Sequence, residues 1–62
     1  TTLNVERTDS ISEGCVLEMF IKGEMHIGVA LSPEVFIHCT RNQGVRLSYV
    51  KYYKIDKIYK VI

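Results

Sequence analysis

The sequence predicts a mainly β domain: a small antiparallel sheet of four or five strands, curled into a half-barrel or an SH3-like barrel, with little or no helix. Apolar and polar residues alternate in several short runs, which is the pattern of half-buried strands. Turn-forming residues such as Gly, Pro, Asn and Ser separate these runs. Short strands that follow one another through tight turns form an antiparallel meander.

Length and composition limit the possibilities further. A chain of 62 residues allows one small domain, spanning 1–62, with a small core. A hydrophobic content of 47% and a charged content of 24% are typical of globular proteins. The longest unbroken apolar stretch runs only from Ile27 to Leu31, whereas a spanning helix needs about 20 residues. We therefore expect no membrane partner.

The first strands follow a polar N-terminal segment, residues 1–10. In this segment Leu3 and Val5 alternate with polar residues, which is compatible with a short edge strand. The run from Cys15 to Ile21 is rich in β-forming residues and too short for a good helix. Lys22-Gly23 then supplies a turn.

Two alternating runs come next, on either side of a turn at Ser32-Pro33-Glu34. The odd-numbered positions of both runs are apolar, and the even-numbered positions include both histidines, His26 and His38. We expect the odd set to face the core and the histidines to lie on the polar face. The odd set comprises Met25, Ile27, Val29, Leu31, Val35, Ile37 and Cys39.

The last part of the chain contains one clear strand and one ambiguous segment. Residues 41–44 form a turn in which Gly44 is expected at positive φ, and residues 45–49 alternate again. Residues 52–62 fit either a helical face or a strand. Their β-branched and aromatic content favours a strand from about Asp56.

The spacing of the histidines allows their relative position to be worked out. With a three-residue loop at residues 32–34, Leu31 pairs with Val35 and Gly28 faces His38. His26 then lies on the same face, one diagonal step from His38, within reach of an aromatic side chain. A two-residue loop would separate the histidines onto opposite faces.

Such a pair supports several chemistries. One ring could act as a general base while the other orients it, both rings could bind a metal, or both could be half-exposed residues of a polar face. The cysteines at positions 15 and 39 form no metal-binding spacing with the histidines, so we expect no metal site and no cofactor. The two cysteines could form one disulfide, but we favour a reduced pair.

The segments His26-Ile27-Gly28-Val29-Ala30-Leu31, Phe36-Ile37-His38 and Gly44-Val45-Arg46-Leu47 together resemble the C-terminal half of the NlpC/P60 family of cysteine peptidases. The family pattern reads His-Val-Gly-Ile-Tyr-Leu, a turn, Phe-Ile-His-Ala, a loop and Gly-Val-Arg-Ile. The step of twelve residues between the histidines is also the family's. The resemblance covers about residues 11–62, which is half of a family domain.

The resemblance implies that His26 is a general base and that His38 is the polar residue that orients it. The family's nucleophile is a cysteine in an Asp-Cys-Ser segment at a helix start, which this chain lacks. Cys15 occupies the position of a family aspartate, and the side chain of Cys39 points away from that of His38. His26 and His38 are therefore candidate catalytic residues only if a nucleophile is supplied from elsewhere, and the chain alone is not expected to be an enzyme.

Three functions follow as hypotheses. The first is a non-catalytic binding or structural module of phage or bacterial type that contacts another protein, as an inhibitor or assembly factor. The second is the C-terminal part of a cell-wall cysteine peptidase. The third is a small nucleic-acid-binding barrel that uses the basic, tyrosine-rich tail, with Lys51, Tyr52, Lys54, Lys57 and Tyr59 as binding residues.

Two further expectations concern protein contacts. Phe20 or Phe36, if exposed, could form a docking patch. A domain this small also gains missing core by forming a homo-oligomer, most simply a homodimer.

Overall fold

A computed structural model describes residues 4–62 and confirms the predicted mainly β fold. Six antiparallel strands form one open sheet, and a single 3-10 turn at Val50–Tyr52 is the only helical segment in that range. The structure has six strands, more than the four or five predicted, because the N-terminal segment and the ambiguous C-terminal segment both form strands. The strands are β1 (Val5–Thr8), β2 (Val16–Ile21), β3 (Glu24–Ala30), β4 (Val35–Thr40), β5 (Gly44–Tyr49) and β6 (Ile55–Val61).

The order of strands across the sheet is β1-β6-β2-β3-β4-β5. The four strands β2 to β5 form the predicted meander, because each pairs with the next along the chain. The chain then crosses back and inserts β6 between β1 and β2, with a register shift between Glu18 and Met19. The result is consistent with a half-barrel. Leu3, half of the predicted edge strand, lies outside the described residues.

The turns match the local sequence. Lys22 and Gly23 have φ values of 52° and 82°, which suit a two-residue hairpin whose direction follows the twist of the strands. The hydroxyl oxygen of Ser32 accepts hydrogen bonds from the backbone N–H groups of Glu34 and Val35. These bonds stabilise a three-residue loop between β3 and β4. Gly44 has a φ of 69°, as predicted.

The core lies on one face of the sheet, which we call the inner face. Side chains from the crossover between β5 and β6 cover it, and the ring of Tyr53 packs edge-on against Phe36 with centroids 5.2 Å apart. Five buried hydrophobic residues make up the core: Cys15, Leu17, Met19, Ala30 and Phe36.

The prediction of which face is buried is wrong for β3 and β4. The even-numbered residues point inward, and Phe36 and His38 are almost fully buried, whereas Met25 and Ile27 are more than half exposed. The small residues at positions 28 and 30 leave room on the inner face for side chains from β2 and β4, so the sheet closes toward that face. Apolar alternation alone could not distinguish the two faces, because both carry apolar residues.

The ambiguous C-terminal segment is a strand, with β6 beginning at Ile55. Of the two phenylalanines considered for a docking patch, Phe36 is fully buried and Phe20 is half exposed. Both cysteines are free thiols. No helix within residues 4–62 has the length and apolar character needed to cross a membrane.

Candidate functional site

The two histidines lie on the same face of the sheet, as the three-residue loop predicts. Leu31 donates its N–H to the carbonyl oxygen of Val35 at 2.9 Å, and Gly28 pairs with His38. His26, two residues before Gly28, therefore points to the inner face with His38. The predicted register between β3 and β4 is confirmed. The expectation that the face would be polar and open is wrong, since His38 is only 6% exposed.

Gly28 is the position that brings these elements together. A Cβ atom added at Gly28 would lie 2.8 Å from Cδ2 of Phe36 and 3.0 Å from the carbonyl oxygen of Ile37. Both distances are shorter than normal carbon contacts, so a larger residue would push β4 or the Phe36 ring away. The glycine thus allows Phe36 to pack across β3, next to His38.

His38 is held by a small network on the inner face. Its Nε2 atom shares a hydrogen bond of 2.9 Å with the hydroxyl of Ser48, and that hydroxyl lies 3.5 Å from the phenolic oxygen of Tyr53. The rings of Phe36 and Tyr53 pack against the imidazole, with centroids 5.0 Å and 5.7 Å away. The second nitrogen of His38, Nδ1, is buried and has no hydrogen-bond partner within residues 4–62.

These surroundings determine the charge of His38. Burial lowers the pKa of His38 below its usual value of 6.5, and the nearby charges of His26 and Arg46 lower the pKa further. His38 is therefore a neutral imidazole at pH 7. A neutral imidazole carries its proton on one of the two ring nitrogens, so the direction of the hydrogen bond between Nε2 and Ser48 decides whether the buried Nδ1 atom is a donor or an acceptor.

His26 and His38 line one open cavity of about 490 Å³. Tyr53 contributes to its wall, and three charged side chains stand around it: Lys22 from the turn before β3, Glu24 from the first position of β3 and Arg41 from the turn after β4. Among the hydrogen bonds of residues 4–62, none joins the imidazole of His26 to that of His38. The site therefore brings two imidazoles that are not hydrogen-bonded to each other to one cavity.

Neither cysteine is placed to act as a nucleophile for His26. Cys15 is buried at the start of β2, where its backbone pairs with that of Ala30. Ala30 is four residues along β3 from His26, which corresponds to about 13 Å. Cys39 lies on the opposite face of the sheet, as predicted. The described residues thus supply a candidate base without a thiol beside it.

Sequence reasoning missed Ser48 and Tyr53. The register of the next hairpin could have located Ser48, because His38 pairs with Arg46 and Ser48 is the diagonal neighbour on the same face. Tyr53 could not be found in this way. It reaches the site through the crossover after β5, whose path depends on where β6 inserts.

The five residues predicted to bind nucleic acid lie in two separate regions. Lys51 and Tyr52 are in the 3-10 turn after β5, with the ammonium group 5.2 Å from the ring centroid. Lys57 and Tyr59 are on β6, which is four positions away from β5 in the sheet, and Lys57 pairs with Glu18. Lys54 is exposed in the segment between the two regions. Nucleic-acid binding stays a prediction.

The opposite face of β3, β4 and β5 is apolar, and we call it the outer apolar face. The odd-numbered residues of the three strands form it together with Leu31, which directly follows β3, and none of them is charged. Exposure ranges from 39% for Val29 to 72% for Val45 among its most exposed members. The face comprises Met25, Ile27, Val29, Leu31, Val35, Ile37, Cys39, Val45, Leu47 and Tyr49.

Within residues 4–62, no three side chains of His, Cys, Asp or Glu are grouped in a way that could hold a metal ion. Comparison of the chain with protein-family profiles, with curated proteins and with solved structures finds no match. The NlpC/P60 resemblance therefore depends on the residues of this chain alone.

Proposed function

We propose that this chain is a protein-binding module built on the β half of an NlpC/P60-like fold, and that its outer apolar face docks the apolar side of an amphipathic helix of another protein. The observation that carries this proposal is the exposure of that face, which spans three neighbouring strands without a charge. The resemblance implies a phage or bacterial origin. An inhibitor or assembly factor of such origin acts by binding another protein through an exposed surface of this kind.

The size of the outer apolar face supports a binding role. Its seven most exposed residues contribute roughly 700 Å² of accessible surface, whereas the largest apolar patch on a typical monomer is roughly 300–600 Å². One partner in a standard protein–protein interface buries about 800 Å². The face is therefore large enough for a specific contact, and it is costly to leave in water.

The shape of the face favours a helix as the occupant. Strands β3 and β5 are two strand spacings apart, about 10 Å, which is close to the diameter of a helix with its side chains. A shallow groove of about 220 Å³ runs between β3 and β4, with Ile27, Val29, Ile37 and Val45 among its walls. On the side toward β6, Glu18 and Lys57 border the face and would meet the polar flank of an amphipathic helix.

A fluorescence anisotropy titration tests the proposal, with a labelled amphipathic Leu/Lys helical peptide as the probe. We expect saturable binding to the wild type, and binding weakened at least tenfold by Ile27→Lys, which places a charge in the groove. His26→Ala, on the inner face, should leave binding unchanged. Equal binding of a scrambled, non-amphipathic peptide, or loss of binding with His26→Ala, would contradict the proposal.

A second candidate function is the C-terminal part of a cell-wall cysteine peptidase. The observation that favours it is the common cavity of His26 and His38, one of them buried and neutral. In this function His26 would act as the base and His38 would support it, with the nucleophile supplied by another segment or chain. Addition of the cysteine-bearing half of an NlpC/P60 peptidase should then produce hydrolysis of a wall peptide, and His26→Ala should abolish it. Hydrolysis that survives His26→Ala would exclude this role.

A further inference from the structure

The two edges of the sheet differ in how well they are protected. The β1 edge is only four residues long and charged, and Glu6 forms an ion pair with Lys60 at 3.3 Å. Short, charged edges of this kind discourage pairing with another strand. The β5 edge, Gly44–Tyr49, contains no Pro or Lys, and its register with β4 runs without a bulge. Apart from the single charge of Arg46, this edge has none of the usual protection.

The pairing pattern identifies the backbone groups that are free at the β5 edge. The carbonyl of Val35 accepts a hydrogen bond from Leu31, so the backbone groups of Val35 point toward β3. Because direction alternates along a strand, the backbone groups of residues 36, 38 and 40 point toward β5. On β5, residues 44, 46 and 48 meet them. The N–H and C=O groups of Val45, Leu47 and Tyr49 consequently point away from the sheet.

These free groups are self-complementary in one register. In an antiparallel pair related by a two-fold axis, residues with outward-pointing groups must face one another. An axis at Leu47 satisfies this condition and pairs residues 45–49 of one copy with residues 45–49 of the second. Leu47 then faces Leu47 of the second copy, and Val45 faces Tyr49. In each copy the three outward-pointing N–H groups and the three outward-pointing C=O groups all find partners.

The side chains agree with this register. Val45 and Tyr49 form a β-branched and aromatic pair, which is among the favourable cross-strand combinations. Arg46 faces Ser48 of the second copy, so no like charges meet. The guanidinium of Arg46 donates to the side-chain oxygen of Gln43 and is thereby directed to the turn before β5.

We propose that this protein forms a symmetric dimer in which β5 pairs antiparallel with β5 of a second copy, centred on Leu47. The two sheets become one continuous sheet of twelve strands. The outer apolar faces of the two copies then lie side by side and stay accessible. This inference does not depend on the proposed helix-binding function.

Disulfide trapping tests the register. The background is Cys39→Ser, which removes the exposed thiol and leaves only the buried Cys15. Under mild oxidation Leu47→Cys should form a covalent dimer, because directly paired Cα atoms lie about 5.5 Å apart. Val45→Cys alone should not, because its two copies are about 14 Å apart. A mixture of Val45→Cys and Tyr49→Cys should form the crosslinked heterodimer. Crosslinking of Val45→Cys alone at the rate of Leu47→Cys, or none with Leu47→Cys, would overturn the proposal.

Sedimentation equilibrium gives a second measurement without engineered thiols. We expect a dimer for the wild type, and a dissociation constant at least tenfold higher for Leu47→Lys, which places two ammonium groups opposite each other. Ile27→Lys is the matched control, with similar exposure on the same face but two strands away, and it should remain dimeric. A monomeric wild type, or equal dissociation of both variants, would contradict edge pairing. Ile27→Lys should weaken helix binding but leave the dimer intact, so the failure of one proposal is distinguishable from the failure of the other.

Discussion

Gly28 of β3 lies directly opposite His38 of β4, and the Phe36 ring occupies the space that a side chain at Gly28 would need. This relationship connects the core to the candidate site. The same glycine lets the hairpin pack tightly and leaves room on the inner face for the Phe36 ring beside His38.

Gly28→Ala should destabilise the fold. The added methyl group would lie 2.8 Å from the Phe36 ring and 3.0 Å from a backbone oxygen, and overpacking of this kind typically costs about 1–3 kcal/mol. Urea denaturation followed by circular dichroism measures the change. Met25→Ala, an exposed position on the same strand, should change the free energy of unfolding by no more than about 0.5 kcal/mol. Equal stability of Gly28→Ala and the wild type would show that the Phe36 ring can move aside.

Ser48→Ala should destabilise the protein through His38. The substitution removes the partner of Nε2 and leaves a buried imidazole whose two nitrogens both lack a hydrogen bond, at a cost of about 1–3 kcal/mol. Tyr53→Phe removes only a 3.5 Å contact to the same hydroxyl and should cost less. Chemical denaturation of both variants gives the comparison. A larger loss for Tyr53→Phe would mean that Tyr53, and not Ser48, supports the imidazole.

The stability of the fold should depend on pH through His38. Because burial lowers the pKa of His38 in the folded state, the unfolded chain binds a proton more readily below the usual pKa of 6.5. The contribution of the neutral ring is therefore complete above pH 6.5 and is lost as the pH falls through the lower, folded-state pKa. The slope cannot exceed about 1.4 kcal/mol per pH unit for one group.

Urea midpoints measured between pH 7.5 and pH 5 check this dependence. His38→Gln should remove most of the pH dependence of stability. His26→Gln should leave most of that dependence in place, because burial is the largest cause of the lowered pKa of His38 and the charge of His26 is only the second. An unchanged pH dependence in His38→Gln would assign the effect to another group.

Lys22→Asn should stabilise the β2–β3 hairpin. Lys22 has a φ of 52°, a conformation that costs an ordinary residue about 1–2 kcal/mol and that Asn adopts more easily. The resulting Asn-Gly turn is the preferred two-residue hairpin loop, so we expect a gain of about 0.5–1 kcal/mol. Lys54→Asn, the same change at an exposed position outside the strands, should give no gain. Thermal unfolding of the two variants provides the measurement.

Much of the fold could be predicted from local patterns. Alternation located β3 to β5, β-forming composition located β2, and the length of the Ser32–Glu34 loop determined that Gly28 faces His38. These predictions succeeded because strand periodicity and loop length act over a few residues. The sequence leaves the secondary structure of residues 52–62 open, because their apolar and aromatic residues fit both a helical and a strand period. Pairing with β1 and β2 makes the segment from Ile55 a strand.

The sequence by itself determined that β2 to β5 form a meander and that His26 and His38 share a face, because both properties follow from local strand patterns and from the length of one turn. Only the tertiary structure decided which face is buried. Small residues at positions 28 and 30 let the inner face close around Phe36, and Tyr53 covers it from the crossover. The larger odd-numbered residues are left on the outside, because a single sheet of this size can cover only one of its two faces.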